Sequence, residues 1–184
     1  MINIKDNIAA IEQQILHACQ QNERLNRQVR LLAVSKTKPI TLIEQAYQAG
    51  QREFGENYLQ EALEKITALG NLNDICWHFI GPIQSNKTKL IAENFTWVQS
   101  IDRIKIAQRL NRQRGQYIAQ LDQSQQAQIT PLNVCLQVNI SEEPSKSGVT
   151  PNKLAELAEV VAQCQHLSLR GLMAIPEKKA PLAT

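Results

Sequence analysis

The sequence predicts an α/β fold built on a parallel sheet, and in particular a barrel. Strand-like and helix-like segments alternate from residue 31 onward, and positions 36, 57, 78 and 100, at or near the ends of the first four predicted strands, lie 21 or 22 residues apart. This rhythm is typical of βα units. A doubly wound nucleotide-binding sheet would share it, but the first strand is followed by Ser35-Lys36-Thr37-Lys38-Pro39 rather than by a glycine-rich phosphate turn. We therefore favour a barrel.

Most of the predicted strands are short runs rich in apolar or β-branched residues. The six strands are predicted over residues 31–36, 52–54, 75–80, 96–100, 134–140 and 167–173. The first helix is predicted by four isoleucines at three- and four-residue spacing, Ile4, Ile8, Ile11 and Ile15.

Helices are also predicted between the strands. They are expected over residues 39–49 and 58–69, after Ser85 or Asn86, after residue 102, and from Thr150-Pro151 to about Cys164. Asp102 is expected to cap the helix that follows it. The glutamine-rich run at 123–128 is expected to be a loop or linker.

Composition is that of an ordinary globular protein. A chain of 184 residues suits one domain with a proper core, and it is 43% hydrophobic and 20% charged. The net charge is +3, the basic residues are dispersed, and only 4% of residues are aromatic. Nucleic acid is therefore not an expected partner, and most charges are expected to lie on solvated helix faces.

The cysteines and the apolar runs indicate a cytoplasmic protein. Cys19, Cys76, Cys135 and Cys164 are far apart and form no CxxC pair, so neither a zinc site nor a disulfide framework is expected. Free thiols suit a reducing compartment. The N-terminus does not resemble a signal peptide, and no apolar run approaches the roughly 18 residues that span a membrane.

Lys36 closes the first apolar run. A lysine held by a strand end among apolar neighbours has a desolvated amine, and desolvation favours the neutral, nucleophilic form. That chemistry suits Schiff-base formation with a carbonyl. The alternative is that the strand simply runs out into solvent at a lysine.

The other predicted strands also have, at or near their ends, side chains that are able to make specific contacts. They are Asn57, His78, Ser100, Asn139 and Met173. In a parallel barrel such ends converge on the face that holds active sites. Alternatives remain for each, since His78 could be a hydrogen-bonded core histidine and the asparagines could be turn residues or helix caps.

Seven motifs follow one another along the chain. They are Leu32-Ala33-Val34-Ser35-Lys36-Thr37-Lys38-Pro39, Phe54-Gly55-Glu56-Asn57-Tyr58, Trp77-His78-Phe79-Ile80-Gly81-Pro82-Ile83-Gln84-Ser85-Asn86-Lys87, Ser100-Ile101-Asp102-Arg103, Gln137-Val138-Asn139-Ile140, Ser145-Lys146-Ser147-Gly148 and Arg170-Gly171-Leu172-Met173-Ala174-Ile175-Pro176. Together they resemble the YggS/PROSC family, the pyridoxal 5'-phosphate homeostasis proteins, and the resemblance covers residues 1 to 176 in order.

The resemblance implies a single-domain barrel of the alanine-racemase N-terminal type that binds pyridoxal 5'-phosphate. Lys36 matches the family's Schiff-base lysine, which holds the cofactor as an aldimine. Asn57, His78, Ser100, Asn139 and Met173 match positions that line the pocket. Binding, buffering or supplying the cofactor, with apoenzymes as recipients, is the implied function, and no catalytic residue or metal is expected. The alternatives are a racemase-like enzyme or an inactive fragment; a racemase of this fold would need a second acid/base residue and a β domain, for which this chain has no room.

The sequence departs from the family after Pro176. A complete (β/α)8 barrel needs roughly 200 to 250 residues, so about six of eight βα units are expected within residues 1–184. The stretches Ser-x-Gly-Met and Gly-Ser-Thr-x-x-Arg, which supply most of the phosphate contacts in the family, are not found. Weaker cofactor binding than in a full-length relative is expected, with unpaired edges at the first and sixth strands. A frameshifted gene and a sequencing artefact are both open explanations.

Overall fold

The computed structural model describes residues 3–24, 29–141, 143 and 146–176. The chain divides into two compact units, Met1–Trp77 and His78–Thr184, and the described residues form six strands, which follow chain order within each unit. The strands are β1 Ala33–Val34, β2 Glu53–Glu56, β3 Cys76–Phe79, β4 Trp97–Ile101, β5 Leu132–Gln137 and β6 Leu167–Met173. The helices are α1 Ile4–Gln21, α2 Ile40–Gln48, α3 Leu59–Ala68, α4 Thr88–Asn94, α5 Ile104–Gln120, α6 Gln123–Gln126 and α7 Leu154–Ala162, with 3₁₀ turns at Ser85–Lys87 and Pro151–Lys153.

The first unit contains β1, β2 and the start of β3, together with α1, α2 and α3. β1 and β2 run parallel, with Ala33 opposite Phe54. The backbone N–H of Ser35 continues this pairing beyond β1 by donating to the carbonyl of Gly55 at 3.0 Å. Phe54 is buried and its ring lies 5.8 Å from that of Trp77. The carboxyl-terminal ends of β1 and β2 therefore lie side by side.

The second unit contains the rest of β3 and β4, β5 and β6, which pair in parallel in that order. Its core is built from alternate strand residues such as Val98, Val134 and Leu136, which have no solvent exposure. Leu110 of α5 is equally buried, because the helix presents one apolar stripe at helical spacing. Strands covered by helices in this way are typical of parallel sheets.

Arg114 is a buried charged residue of this unit. Its guanidinium donates to the carbonyl of Ala92 in α4 at 2.7 Å and to the carbonyl of Thr130 at 2.9 Å. Burial lowers the pKa of Arg114 below its ordinary value. The side chain therefore satisfies a backbone acceptor of the buried Ala92 and one of the exposed Thr130, and so joins two segments of the unit.

The predicted alternation of strands and helices is confirmed, and β6 has the predicted limits, residues 167–173. The first strand is shorter than the predicted residues 31–36. Near its start, a side chain, that of Gln51, donates to the backbone carbonyl of Leu31 where a neighbouring strand would otherwise pair. The Gln51 amide donates to the carbonyl of Leu31 at 2.9 Å and to that of Glu53 at 2.6 Å. Only Ala33–Val34 keeps regular strand pairing.

Two local predictions are wrong. Residues 123–128 are not all loop, because the Asp122 carboxylate and the Gln125 side chain form a capping box that starts α6. Asp102 does not cap α5; its carboxylate accepts hydrogen bonds at 2.8 and 3.0 Å from the Arg103 guanidinium, and Arg103 occupies the cap position. The last eight residues of the sequence (177–184) and Ser145 of the quoted motif lie outside the described residues.

Candidate functional site

Lys36 lies two residues after the end of β1 and is half-buried. The turn after it is closed by the N–H of Lys38, which donates to the carbonyl of Ser35 at 3.0 Å. Thr37, between the two lysines, has a φ of +61°, a left-handed conformation that is uncommon for a β-branched residue. The lysine therefore leaves the sheet from a tight and specifically shaped turn.

A network of three charged side chains lies beside this turn, and sequence reasoning missed it. Lys65 of α3 and Glu56 of β2 have side chains that are 4% and 0% exposed, and Lys65 Nζ lies 2.8 Å from Glu56 Oε1. The same ammonium donates to Glu61 at 2.5 Å and to the carbonyl of Ser35 at 2.7 Å. Glu61 and Lys65 lie four positions apart on the same helix, and oppositely charged residues at this spacing normally indicate a solvated helix face.

The network reaches both sides of Lys36. The carbonyl of Ser35 precedes it, and the N–H of Thr37, which follows it, donates to Glu61 at 2.6 Å. The pKa of Glu61 lies below its ordinary value, chiefly because Lys65 donates to its carboxylate; desolvation opposes this shift and the N–H of Thr37 adds to it. The carboxylate is therefore held in the ionised form that both donors require.

Asn57 comes immediately after β2, the strand paired with β1. Its Oδ1 is buried, and no described residue donates a hydrogen bond to it. Glu56 Oε2 is in the same condition. An unpaired buried acceptor costs free energy, so it is a place where a donor group gains a hydrogen bond.

In the second unit, His78 is the penultimate described residue of β3 and is buried. Its Nδ1 lies 2.9 Å from the side-chain amide of Gln99, and its ring stacks on Trp97 at 5.3 Å. Ser100 is buried in β4 and donates its hydroxyl to the carbonyl of Gly81 at 2.5 Å. Both side chains are thus engaged in contacts within their own unit.

Asn139 and Met173 lie at the ends of neighbouring strands of the second unit. Asn139 follows β5, and its amide donates to the carbonyls of Glu143 and Lys146 at 2.8 and 3.4 Å. Met173 is the last residue of β6, and its carbonyl accepts from the N–H of Val138 at 2.9 Å. Asn139 Oδ1 is buried with no described donor.

The structure brings Lys36 and Asn57 to adjacent strand ends of the first unit. The four other predicted residues, His78, Ser100, Asn139 and Met173, occupy the carboxyl-terminal ends of strands in the second unit. Within the described part of the chain, no helix is long and apolar enough to cross a membrane.

Comparison with known proteins identifies the class of fold. Residues 6–180 match the family model described as the N-terminal domain of alanine racemase. The solved alanine racemase of Corynebacterium glutamicum shares this fold with a TM-score of 0.62 at 15% identity, over 94% of this chain and 43% of that chain. The predicted α/β fold of the alanine-racemase N-terminal type is therefore confirmed.

Closer relatives identify the particular family. The "Pyridoxal phosphate homeostasis protein" of Pasteurella multocida is 54% identical over the whole of this chain, which covers 74% of the relative. The solved structure of PipY from Synechococcus elongatus, with PLP bound, is 36% identical, with a TM-score of 0.69 over 92% of this chain and 72% of that chain. This chain belongs to the family of pyridoxal phosphate homeostasis proteins.

Proposed function

We propose that this chain binds pyridoxal 5'-phosphate at Lys36 and takes part in the homeostasis of that cofactor without converting a substrate. Two findings support the proposal: curated relatives are named pyridoxal phosphate homeostasis proteins, and PipY, which is 36% identical, has been solved with PLP bound. The observation on which the proposal depends most is Lys36 itself. This half-buried lysine lies on a turn, and side chains of the first unit bind the peptide groups before and after it. A carrier needs an accessible amine in a fixed place.

The residues at the strand ends of the first unit fit such a group. Pyridoxal phosphate supplies an aldehyde, and condensation with the Lys36 amine forms a carbon–nitrogen double bond and releases one water. Asn57 offers a buried amide oxygen that lacks a donor among the described residues. Lys65 cannot compete for the aldehyde in this arrangement, because three acceptors already occupy its ammonium protons.

The remaining assignments stay predictions. His78, Ser100, Asn139 and Met173 are proposed as further cofactor-binding residues, and residues 1–184 as one cofactor-binding domain. Apoenzymes that require the cofactor are the proposed recipients. The cytoplasm is the proposed compartment, and four free cysteines are consistent with it.

Covalent labelling tests the attachment. Purified protein is incubated with pyridoxal phosphate, reduced with borohydride and mapped by mass spectrometry. We expect a pyridoxyl group on Lys36 and a visible absorption band before reduction; both disappear in Lys36→Ala. Lys38→Ala is the matched control, because Lys38 is an exposed lysine two residues away. Labelling that persists elsewhere in Lys36→Ala would contradict the proposal.

A separate experiment distinguishes a carrier from an amino-acid racemase. The loaded protein is incubated with L-alanine in D2O, and the product is analysed for D-alanine and for deuterium at Cα. A carrier gives neither, because deuterium exchange at Cα requires a base positioned on one face and inversion requires an acid or base on each face. Deuterium incorporation that depends on Lys36 would establish enzymatic activity instead.

A further inference from the structure

The backbone on either side of Lys36 is held by side chains from outside its own turn. Lys65 Nζ donates to the carbonyl of Ser35 at 2.7 Å, and Glu61 accepts from the N–H of Thr37 at 2.6 Å. Both side chains belong to α3. One helix therefore fixes the two peptide groups that determine the direction in which the Lys36 side chain leaves the strand.

Glu56 joins this arrangement from β2. Its Oε1 accepts from Lys65 at 2.8 Å and from the hydroxyl of Ser35 at 2.6 Å. Ser35 is thus held through its carbonyl by Lys65 and through its side chain by Glu56. Each contact joins the residue before Lys36 to a buried charge.

Stability alone does not account for these buried charges. Desolvating two ions offsets much of their attraction, and well-packed apolar residues of similar volume often serve a fold equally well. The turn also keeps Thr37 in a left-handed conformation, at φ +61°, which persists only where surrounding contacts impose it. Such strain is typical of places where a reactive group must point in one direction.

We propose that Glu56, Glu61 and Lys65 are positioning residues for Lys36: they fix its turn so that the amine meets an incoming aldehyde at one angle. This inference rests on the proposed attachment at Lys36. The competing explanation is that the network only fastens α3 to the sheet, in which case any variant that keeps the fold also keeps the reactivity of Lys36.

The principal test uses a charge-neutral pair of substitutions. Lys65→Met together with Glu56→Gln removes both buried charges, while the amide introduced by Glu56→Gln retains an oxygen that accepts from Ser35. We expect this double variant to fold but to label Lys36 about tenfold more slowly with pyridoxal phosphate and borohydride, since small misplacements of a reacting group are costly. Lys89→Met is the control, because Lys89 belongs to an exposed ion pair with Glu93 on another helix.

A second pair of variants tests the proposal even if the double variant does not fold. Glu61→Gln keeps an acceptor for the N–H of Thr37, whereas Glu61→Ala removes it, and the Glu61 side chain is 29% exposed, so both are tolerated more easily. We expect Glu61→Gln to label Lys36 at close to the wild-type rate and Glu61→Ala to label it severalfold more slowly. Equal labelling in these two variants, at the wild-type rate, would overturn the inference.

Amide hydrogen exchange without any cofactor separates this inference from the proposed function. We expect the N–H of Thr37 to exchange faster in Glu61→Ala than in wild type or Glu61→Gln. If wild type gives no adduct on Lys36, the proposed attachment fails while the exchange result still decides whether the network holds the turn. Unchanged exchange in Glu61→Ala would refute the positioning role by itself.

Discussion

The buried charges beside Lys36 allow a quantitative test of how the first unit is stabilised. Lys65→Met keeps an unbranched apolar stem of similar length but removes the ammonium group. Glu56, which has no solvent exposure, would then keep only the Ser35 hydroxyl as a donor, since its Oε2 has no described partner. Removing one member of a buried ion pair costs about 3–5 kcal/mol, and we expect a loss in that range.

The second substitution turns this loss into a measurement of the pair. With Lys65→Met in place, Glu56→Gln removes the uncompensated charge and should restore most of the free energy of unfolding. The resulting coupling between the two positions should be about 2–3 kcal/mol, the upper end of the range for contacting residues.

Urea unfolding followed by circular dichroism at pH 7 provides the assay, with the midpoint and the slope fitted separately so that a stability change is distinguished from a change in the denatured state. A loss below about 1 kcal/mol for Lys65→Met would refute the reasoning. It would mean that the carboxylate of Glu56 finds water or a new donor once the ammonium is gone. Equal losses in the single and double variants would show that the loss comes from the other contacts of the ammonium, with the Ser35 carbonyl and Glu61, and not from an uncompensated charge on Glu56.

Four further substitutions test Glu61 of the same network, two glycines and Arg114. The pKa of Glu61 is lower in the folded protein than its unfolded value, near 4.5, so the ionised carboxylate stabilises the fold above pH 4.5 and this stabilisation is lost as the pH falls through the folded pKa. The free energy of unfolding of wild type should therefore exceed that of Glu61→Gln by under about 1 kcal/mol at pH 7, and the two should be equal in acid. Gly148→Ala should destabilise the second unit by about 2 kcal/mol or more, because φ is +129° and a Cβ would lie 2.5 Å from the backbone nitrogen of Asn139. Gly50→Ala should lower the free energy of unfolding by about 1 kcal/mol, through backbone strain alone, because φ is +100° and a Cβ at this position would have no atom within 4 Å. Arg114→Met should cost about 2–4 kcal/mol, because two backbone carbonyls lose a buried charged donor.

Each of these predictions has its own measurement and control. The Glu61 difference is followed by urea unfolding across pH, and a gap that widens in acid would contradict the sign of the pKa shift. For the glycines, the free energies of unfolding of Gly148→Ala and Gly50→Ala are compared. If Gly148→Ala loses no more than Gly50→Ala, the backbone around Asn139 moves easily to accept the added Cβ. Arg112→Met, an exposed substitution on the same helix as Arg114, should leave the unfolding midpoint unchanged.

Local patterns in the sequence predicted most of the fold. The spacing of four isoleucines predicted α1, and the run from Leu167 to Met173 predicted β6 with its limits. These patterns succeed because helical and strand periodicities depend on residues only a few positions apart. Details failed where a side chain had a choice of partner, as when Asp102 paired with Arg103 instead of capping α5.

The sequence by itself predicted a strand that leads to Lys36, and its motifs predicted the family. The tertiary structure alone decided what surrounds that lysine. Ser35 and Lys65 are 30 residues apart, and only the pairing of β1 with β2 and the packing of α3 bring them to 2.7 Å. Glu61 and Lys65 have the spacing of a solvated ion pair, yet Lys65 is buried, because burial depends on which helix face the sheet covers. That choice is made by long-range contacts, which no local pattern in the sequence records.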